Sequence, residues 1–257
     1  MNSAIKKLIL SACFIASVDS VAATASYLDA SLSSDKRVEL LLEEMTLDEK
    51  IGQMCQFVGE ASDIDFDSKD TKTDYTLALG ARAGLIKEGK IGSFLKVSTF
   101  EEANILQSLA ETSRLKIPLL IATDAIHGHG MYMDATTIYA TQIGLAASFD
   151  PELAELMAEY TATEMRATGF HWAYSPNIEV VRDSRWGRIG ETFGEDPYLV
   201  TEMGNAMVRG YQGKDFGSES NVIASAKHFV GGGIAYNLSL IHISEPTRQA
   251  EISYAVF

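Results

Sequence analysis

A chain of 257 residues with 46% apolar side chains has enough material for one large domain or two small ones. Its formal net charge of −14, with no basic patch, excludes a nucleic-acid-binding surface and suits a neutral small-molecule ligand.

Residues 1–25 read as a secretory leader. Lys6 and Lys7 form a positive start, residues 8–18 are largely apolar, and Ala-rich cleavage sites follow at residues 21–25. The apolar run is too short to span a bilayer, so no membrane span is expected. A lipoprotein leader ending at Cys13 is the weaker alternative, because only residues 8–10 separate Lys7 from Ser11. A periplasmic or secreted protein follows. Cys55 is then the one cysteine left, which rules out an internal disulfide. Its neighbours Met54, Phe57 and Val58 suggest a buried thiol rather than a nucleophile.

Two helices are predicted over residues 36–44 and 47–58, the second opened by a Thr46/Glu49 capping box. Residues 59–75 are polar and read as a loop. A strand is expected over residues 91–96, a helix over 101–113 with Ile105, Leu106 and Leu109 inward, and an apolar strand over 118–123. Asp150-Pro151 opens a long helix ended by Gly169, with Leu153, Leu156, Met157, Tyr160 and Met165 on its apolar stripe. A strand centred on residues 172–175 follows. Asp196-Pro197 opens the next helix, which carries Leu199, Met203 and Met207 and stops at Gly213. A last strand spans residues 221–226. Strands alternating with helices imply βαβ units and a parallel sheet, in either a (β/α)8 barrel or a doubly wound sheet. No GxGxxG follows a strand and no Walker lysine loop is present, so nothing supports nucleotide binding.

The densest concentration of chemistry is residues 182–191, with three arginines, two carboxylates, a tryptophan and two glycines. Charge this dense is costly to bury unless it is paired or meets a polar ligand. The run RDSRWGRIGETFGEDP resembles the arginine-rich segment of glycoside hydrolase family 3. MTLDEKIGQM at residues 45–54, PLLIATDAIHG at 118–128 and AKHFVG at 226–231 are similar to other blocks of that family, in the same order. The resemblance runs from about residue 36 to about residue 236 and implies an α/β fold, a (β/α)8 TIM barrel, here incomplete at its C-terminus.

It also implies a retaining, exo-acting β-glucosidase-like hydrolase that needs no cofactor and takes a small carbohydrate. Asp124, Arg188, Lys227 and His228 would bind the terminal sugar, and Glu191 would orient Arg188. Adjacent residues of an ordinary strand point to opposite faces; the resemblance implies cis peptide geometry that lets both Lys227 and His228 reach the ligand. The family's nucleophile and acid/base carboxylates are matched nowhere in the chain and are expected beyond Phe257, which predicts an inactive piece.

Domain limits are set at 1–25 for the leader and 26–238 for the partial barrel domain. Residues 239–257 are a segment that departs from the family and resembles a non-native tail. His127 and His129 lack a third ligand at metal spacing, so no metal site is expected. Related alternatives are a β-xylosidase and a β-N-acetylhexosaminidase; residues 231–235 lack the Asp-His pair of the latter. A non-catalytic sugar-binding fragment is the alternative from a different class.

Overall fold

The computed structural model describes residues 26–59, 79–131, 133–215, 217–229 and 231–234. The leader, most of the polar loop over residues 59–75 and the tail over residues 239–257 lie outside them. The chain divides into two compact units, Met1–Met45 and Thr46–Phe257. In the first, helix α1 (Ser34–Glu44) starts where the Ser33 hydroxyl accepts from the Lys36 N–H at 3.3 Å. The Arg37 Nε donates to the Tyr27 carbonyl at 2.7 Å.

The second unit holds one parallel sheet, with strands β1 (Gln56–Val58), β2 (Ser93–Leu95), β3 (Leu120–Thr123), β4 (Trp172–Ala173) and β5 (Ile223–Ala224) paired in chain order. Helix α2 (Leu47–Gln53) precedes β1. Parallel neighbours need crossovers. These are α3 (Ala81–Lys87), α4 (Phe100–Glu111), the pair α5 (Gln142–Ala146) and α6 (Pro151–Ala167), and α7 (Pro197–Gln212). A doubly wound sheet reverses its strand order at a switch point. The order here never reverses, which is the winding of a (β/α)8 barrel, and the described residues hold five of its strands. Phe94, Ile121 and Ala173 are buried on the sheet, in one apolar core with the inner faces of α4, α6 and α7.

Helix starts follow the local chemistry that the sequence announces. Thr46 and Glu49 form the full capping box. The Asp150 carboxylate accepts from the N–H groups of Glu152 and Leu153 at 3.0 and 3.2 Å, and Asp196 accepts from Tyr198 at 2.8 Å. Gly169 and Gly213 lie at φ of +88° and +59°, where a side chain would be strained, and both long helices stop there.

Three expectations are corrected. The helix expected over residues 47–58 ends at Gln53, and Gln56–Val58 is a strand. Short apolar spacing fits both periods, and pairing decides: β1 joins β2, and the Gly59 N–H donates to the Leu95 carbonyl at 2.8 Å. Cys55, in the turn between, is half-exposed rather than buried. On α6 the buried face is Ala154, Met157, Ala158, Thr161, Ala162 and Met165, while Leu153, Leu156 and Tyr160 are 43–55% exposed. Small residues let α7 approach closely, so contact distance and not bulk selects the inward face.

The turn into α2 carries an ion pair joining distant segments. Glu49, almost fully buried, accepts from Arg114 Nε at 3.0 Å and Nη2 at 2.6 Å. The Arg114 hydrogen bonds, and those from Thr46, outweigh burial and hold its carboxyl at about 2. A carboxyl whose folded pKa lies below its unfolded value of 4.5 stabilises the fold above that value and loses the effect as pH falls toward about 2. Thermal melts are therefore expected to drop over this window, and Glu49→Gln is expected to flatten that part of the profile.

Candidate functional site

Three loops that follow β3, β4 and β5 meet at the carboxyl ends of the strands, where (β/α)8 barrels place their chemistry. Asp124 follows the last residue of β3 directly. After β4 the chain runs through Tyr174 and a cis Ser175–Pro176 bond to Asn177, Ile178 and Glu179. After β5 it reaches Lys227 and His228, whose shared peptide bond is also cis. The two loops continue the sheet's pairing: the Lys227 N–H donates to the Pro176 carbonyl at 2.9 Å, and the Ile178 N–H to the Lys227 carbonyl at 2.7 Å.

Tyr211 of α7 fastens two of these loops from beneath. Its hydroxyl, fully buried, donates to the Ala125 carbonyl at 2.5 Å and lies 3.2 Å from the Ser175 hydroxyl. Burial pushes its ionisation upward, so it remains a neutral donor.

The charged groups are arranged as interlocking pairs. Lys227 Nζ donates to Asp124 Oδ1, with both side chains about four-fifths buried (18% and 21% exposed). Arg188 meets Glu191 as a two-armed fork, Nε to Oε1 at 2.9 Å and Nη2 to Oε2 at 2.5 Å. Asn177 Nδ2 donates to the same Glu191 Oε2 at 3.1 Å. Asn177 is in turn clamped by Gln142, which accepts from its N–H at 3.1 Å and donates to its carbonyl at 3.2 Å. The Arg188 fork, then Coulombic attraction from Arg188 and Lys227, lowers the Glu191 carboxyl against its desolvation. The Glu191 hydrogen bonds chiefly raise the Arg188 guanidinium, with smaller contributions from Glu191, Glu179 and Asp124 charge. Asn177 joins the two pairs, since it is bridged to Lys227 and bonded to Glu191.

His228 is held by a buried carboxylate. Glu179 Oε1 accepts from the His228 N–H at 2.8 Å and also meets His228 Nδ1. The Glu179 side chain is 2% exposed and the His228 ring 45%. Trp172 and Tyr174, both half-buried, lie with ring centroids 4.7 Å apart on β4 and the residue that follows it. Burial pushes the Tyr174 hydroxyl upward against a hydrogen bond from Gln56, and the Asp124 charge adds a little to that push.

The five residues named from sequence are thus brought into one cluster. Sequence reading missed Glu179, Asn177, Gln142 and Tyr174, although a carboxylate two residues past Asn177 in an otherwise apolar segment was a usable signal. Trp186 packs beneath the arginine loop against Val181 and Ile189, with the Arg188 guanidinium 5.9 Å from its ring. His127 and His129 take separate partners: His127 Nδ1 lies 3.1 Å from the Tyr139 carbonyl, and His129 Nε2 lies 2.9 Å from the Thr168 hydroxyl. Burial pushes His129 down to about 4, so it is neutral near pH 7. Among the described residues no group of His, Cys, Asp and Glu is spaced to hold a metal ion.

Carboxylates beside fixed cations offer acceptors and donors together. That suits a neutral ligand rich in hydroxyls. Asp124, Glu179 and Glu191 are each engaged by a cation or an imidazole.

Comparison with known proteins identifies the family. The family model for the glycosyl hydrolase family 3 N terminal domain matches residues 46–253, a span that includes much of the segment set apart above. A periplasmic beta-glucosidase of Salmonella typhimurium is 34% identical over 209 residues, covering 79% of this chain and 25% of that protein. A beta-xylosidase of Formosa agariphila is 41% identical over 150 residues, covering 55% and 21%. The crystal structure of a beta-glucosidase from Listeria innocua in complex with glucose superposes with a TM-score of 0.64 at 36% identity, covering 79% of this chain and 28% of that one. The chain spans about a quarter of the length of these relatives. With its barrel winding and four family blocks in order, the chain belongs to glycoside hydrolase family 3 and carries sequence of that family's N-terminal domain.

Proposed function

We propose that this chain supplies the sugar-holding part of an exo-acting, retaining β-glucosidase-like hydrolase. In this reading Asp124, Arg188, Lys227 and His228 hold the hydroxyls of a terminal β-linked glucose, and Glu191 keeps the Arg188 fork aimed. The observation that carries it is the Lys227–Asp124 pair joined to the Arg188–Glu191 fork through Asn177, which is bridged to Lys227 and bonded to Glu191. The nucleophile and the acid/base are assigned to residues outside the described ones, because the family's motif for the nucleophile is matched nowhere after Lys227-His228. A leader at residues 1–25 and the printed name of the Salmonella relative support a periplasmic or secreted location.

Calorimetric titration of the full chain with glucose tests the reading, with saturable binding expected. A chain with a folded far-UV spectrum that binds no glucose overturns it. Turnover of a chromogenic β-glucoside abolished by one point mutation would overturn the assignment of the reacting carboxylates elsewhere. A β-xyloside preference is the second reading, favoured by the 41% identical relative named beta-xylosidase; tighter binding of xylose than glucose would select it. Arg188→Lys keeps the charge and loses the planar fork. It is expected to weaken glucose binding about tenfold, the loss of roughly one charged hydrogen bond.

A further inference from the structure

We propose that Glu179 is a positioning residue that fixes the tautomer of His228, leaving the Nε2 lone pair for a ligand hydroxyl. Glu179 lies in the loop after β4, and His228 ends the loop after β5. One carboxylate oxygen, Oε1, faces both the His228 main-chain N–H, at 2.8 Å, and the ring Nδ1. An ionised carboxylate only accepts. With the main-chain N–H already donating to Oε1, the Nδ1 facing the same oxygen must carry the ring proton. Nε2 of the neutral ring is then an acceptor, on a ring 45% exposed beside a carboxylate 2% exposed.

The site's electrostatics make this choice matter. Lys227 and Arg188 already provide donors, each committed partly to a carboxylate. A sugar hydroxyl is both donor and acceptor, so a site of cations alone would leave hydroxyl protons to compete for the oxygens of Asp124 and Glu191. A fixed imidazole acceptor gives one of those protons its own partner. Glu179 itself never needs to touch ligand: Gly232 closes over it, with a Cβ there falling 3.2 Å from Oε1. Its second oxygen, Oε2, is buried with no hydrogen-bond partner among the described residues, a cost that a merely structural side chain at this position would avoid.

The ligand half of this inference rests on the sugar-holding reading; the tautomer half does not. It is tested on the ligand-free full chain, labelled with 15N-histidine, at about pH 9, above the ordinary histidine range. The expected spectrum has His228 Nδ1 protonated and Nε2 bare. Glu179→Leu, which removes both acceptors at similar volume, is expected to move the proton to Nε2. Glu179→Gln keeps one acceptor oxygen and is expected to restore the original pattern. A spectrum of the unaltered chain with the proton on Nε2 overturns the proposal whether or not either variant folds, as does an unchanged His228 pattern in Glu179→Leu. Glucose titration then separates the two readings: binding weakened about tenfold in Glu179→Leu and recovered in Glu179→Gln places the lone pair on the ligand. Equal glucose affinity in all three proteins overturns the ligand half and leaves the tautomer result standing.

Discussion

Asp124→Ala is expected to weaken glucose binding by about 100-fold, measured by calorimetry on the full chain. The carboxylate accepts hydroxyl protons as a charged partner, each such bond contributing about 1.5–3 kcal/mol, and 100-fold corresponds to about 2.8 kcal/mol, the size of one strong bond of this kind or two at the bottom of that range. The substitution also strands Lys227, whose side chain is 18% exposed and has Asp124 as its salt-bridge partner. Removing one member of a largely buried pair leaves an uncompensated charge, and folding stability is expected to fall by about 1–3 kcal/mol, the cost of a buried donor left unsatisfied. The double variant Asp124→Ala/Lys227→Met separates the two effects. It is expected to recover most of the stability and none of the affinity. Recovery of affinity as well would mean that the pair is structural and that the sugar is held elsewhere.

Much of this site was legible because its members sit where a charge needs a reason. Asp124 ends an apolar strand, Arg188 lies in a run of alternating charge, and Lys227-His228 closes another apolar segment. Their grouping came from the order of four blocks, not from any local period. What stayed hidden depends on pairing across distance. Gln142 and Asn177 are 35 residues apart, and each looks like an ordinary polar residue until the other clamps it. Glu179 is 49 residues from the histidine it holds. The Asp-Pro helix starts were readable because a cap is chemistry within three residues. The strand β1 was not, because three residues carry too little period to outvote a preceding helix. The inward face of α6 was misread for a different reason: ranking by side-chain size picks Leu153, Leu156 and Tyr160, whereas a close helix contact selects alanines.

That contact yields two substitutions of the same kind with opposite outcomes. A Cβ built on Gly210 of α7 would lie 2.2 Å from the Glu155 carbonyl oxygen and 2.7 Å from the Ala158 Cβ of α6. Neither neighbour is a flexible side-chain end, so the helices themselves must part. Alanine in a helix interior normally gains about 0.5–1 kcal/mol over glycine, whereas forcing a methyl into a filled contact costs about 1–3 kcal/mol. Overpacking should win, and Gly210→Ala is expected to lower stability in chemical denaturation. The cost reaches the site, because the next residue, Tyr211, holds the Ala125 carbonyl beside Asp124 at 2.5 Å. A displaced α7 moves that hydroxyl, so glucose affinity is expected to fall along with stability. Gly84 of α3 provides the control: its added Cβ meets nothing within 4 Å, so only the backbone term acts. Gly84→Ala is therefore expected to stabilise by about 0.5–1 kcal/mol and leave affinity unchanged. If both substitutions stabilised, the α6–α7 contact would be looser than described, and the link from α7 through Tyr211 to Asp124 would lose its physical basis.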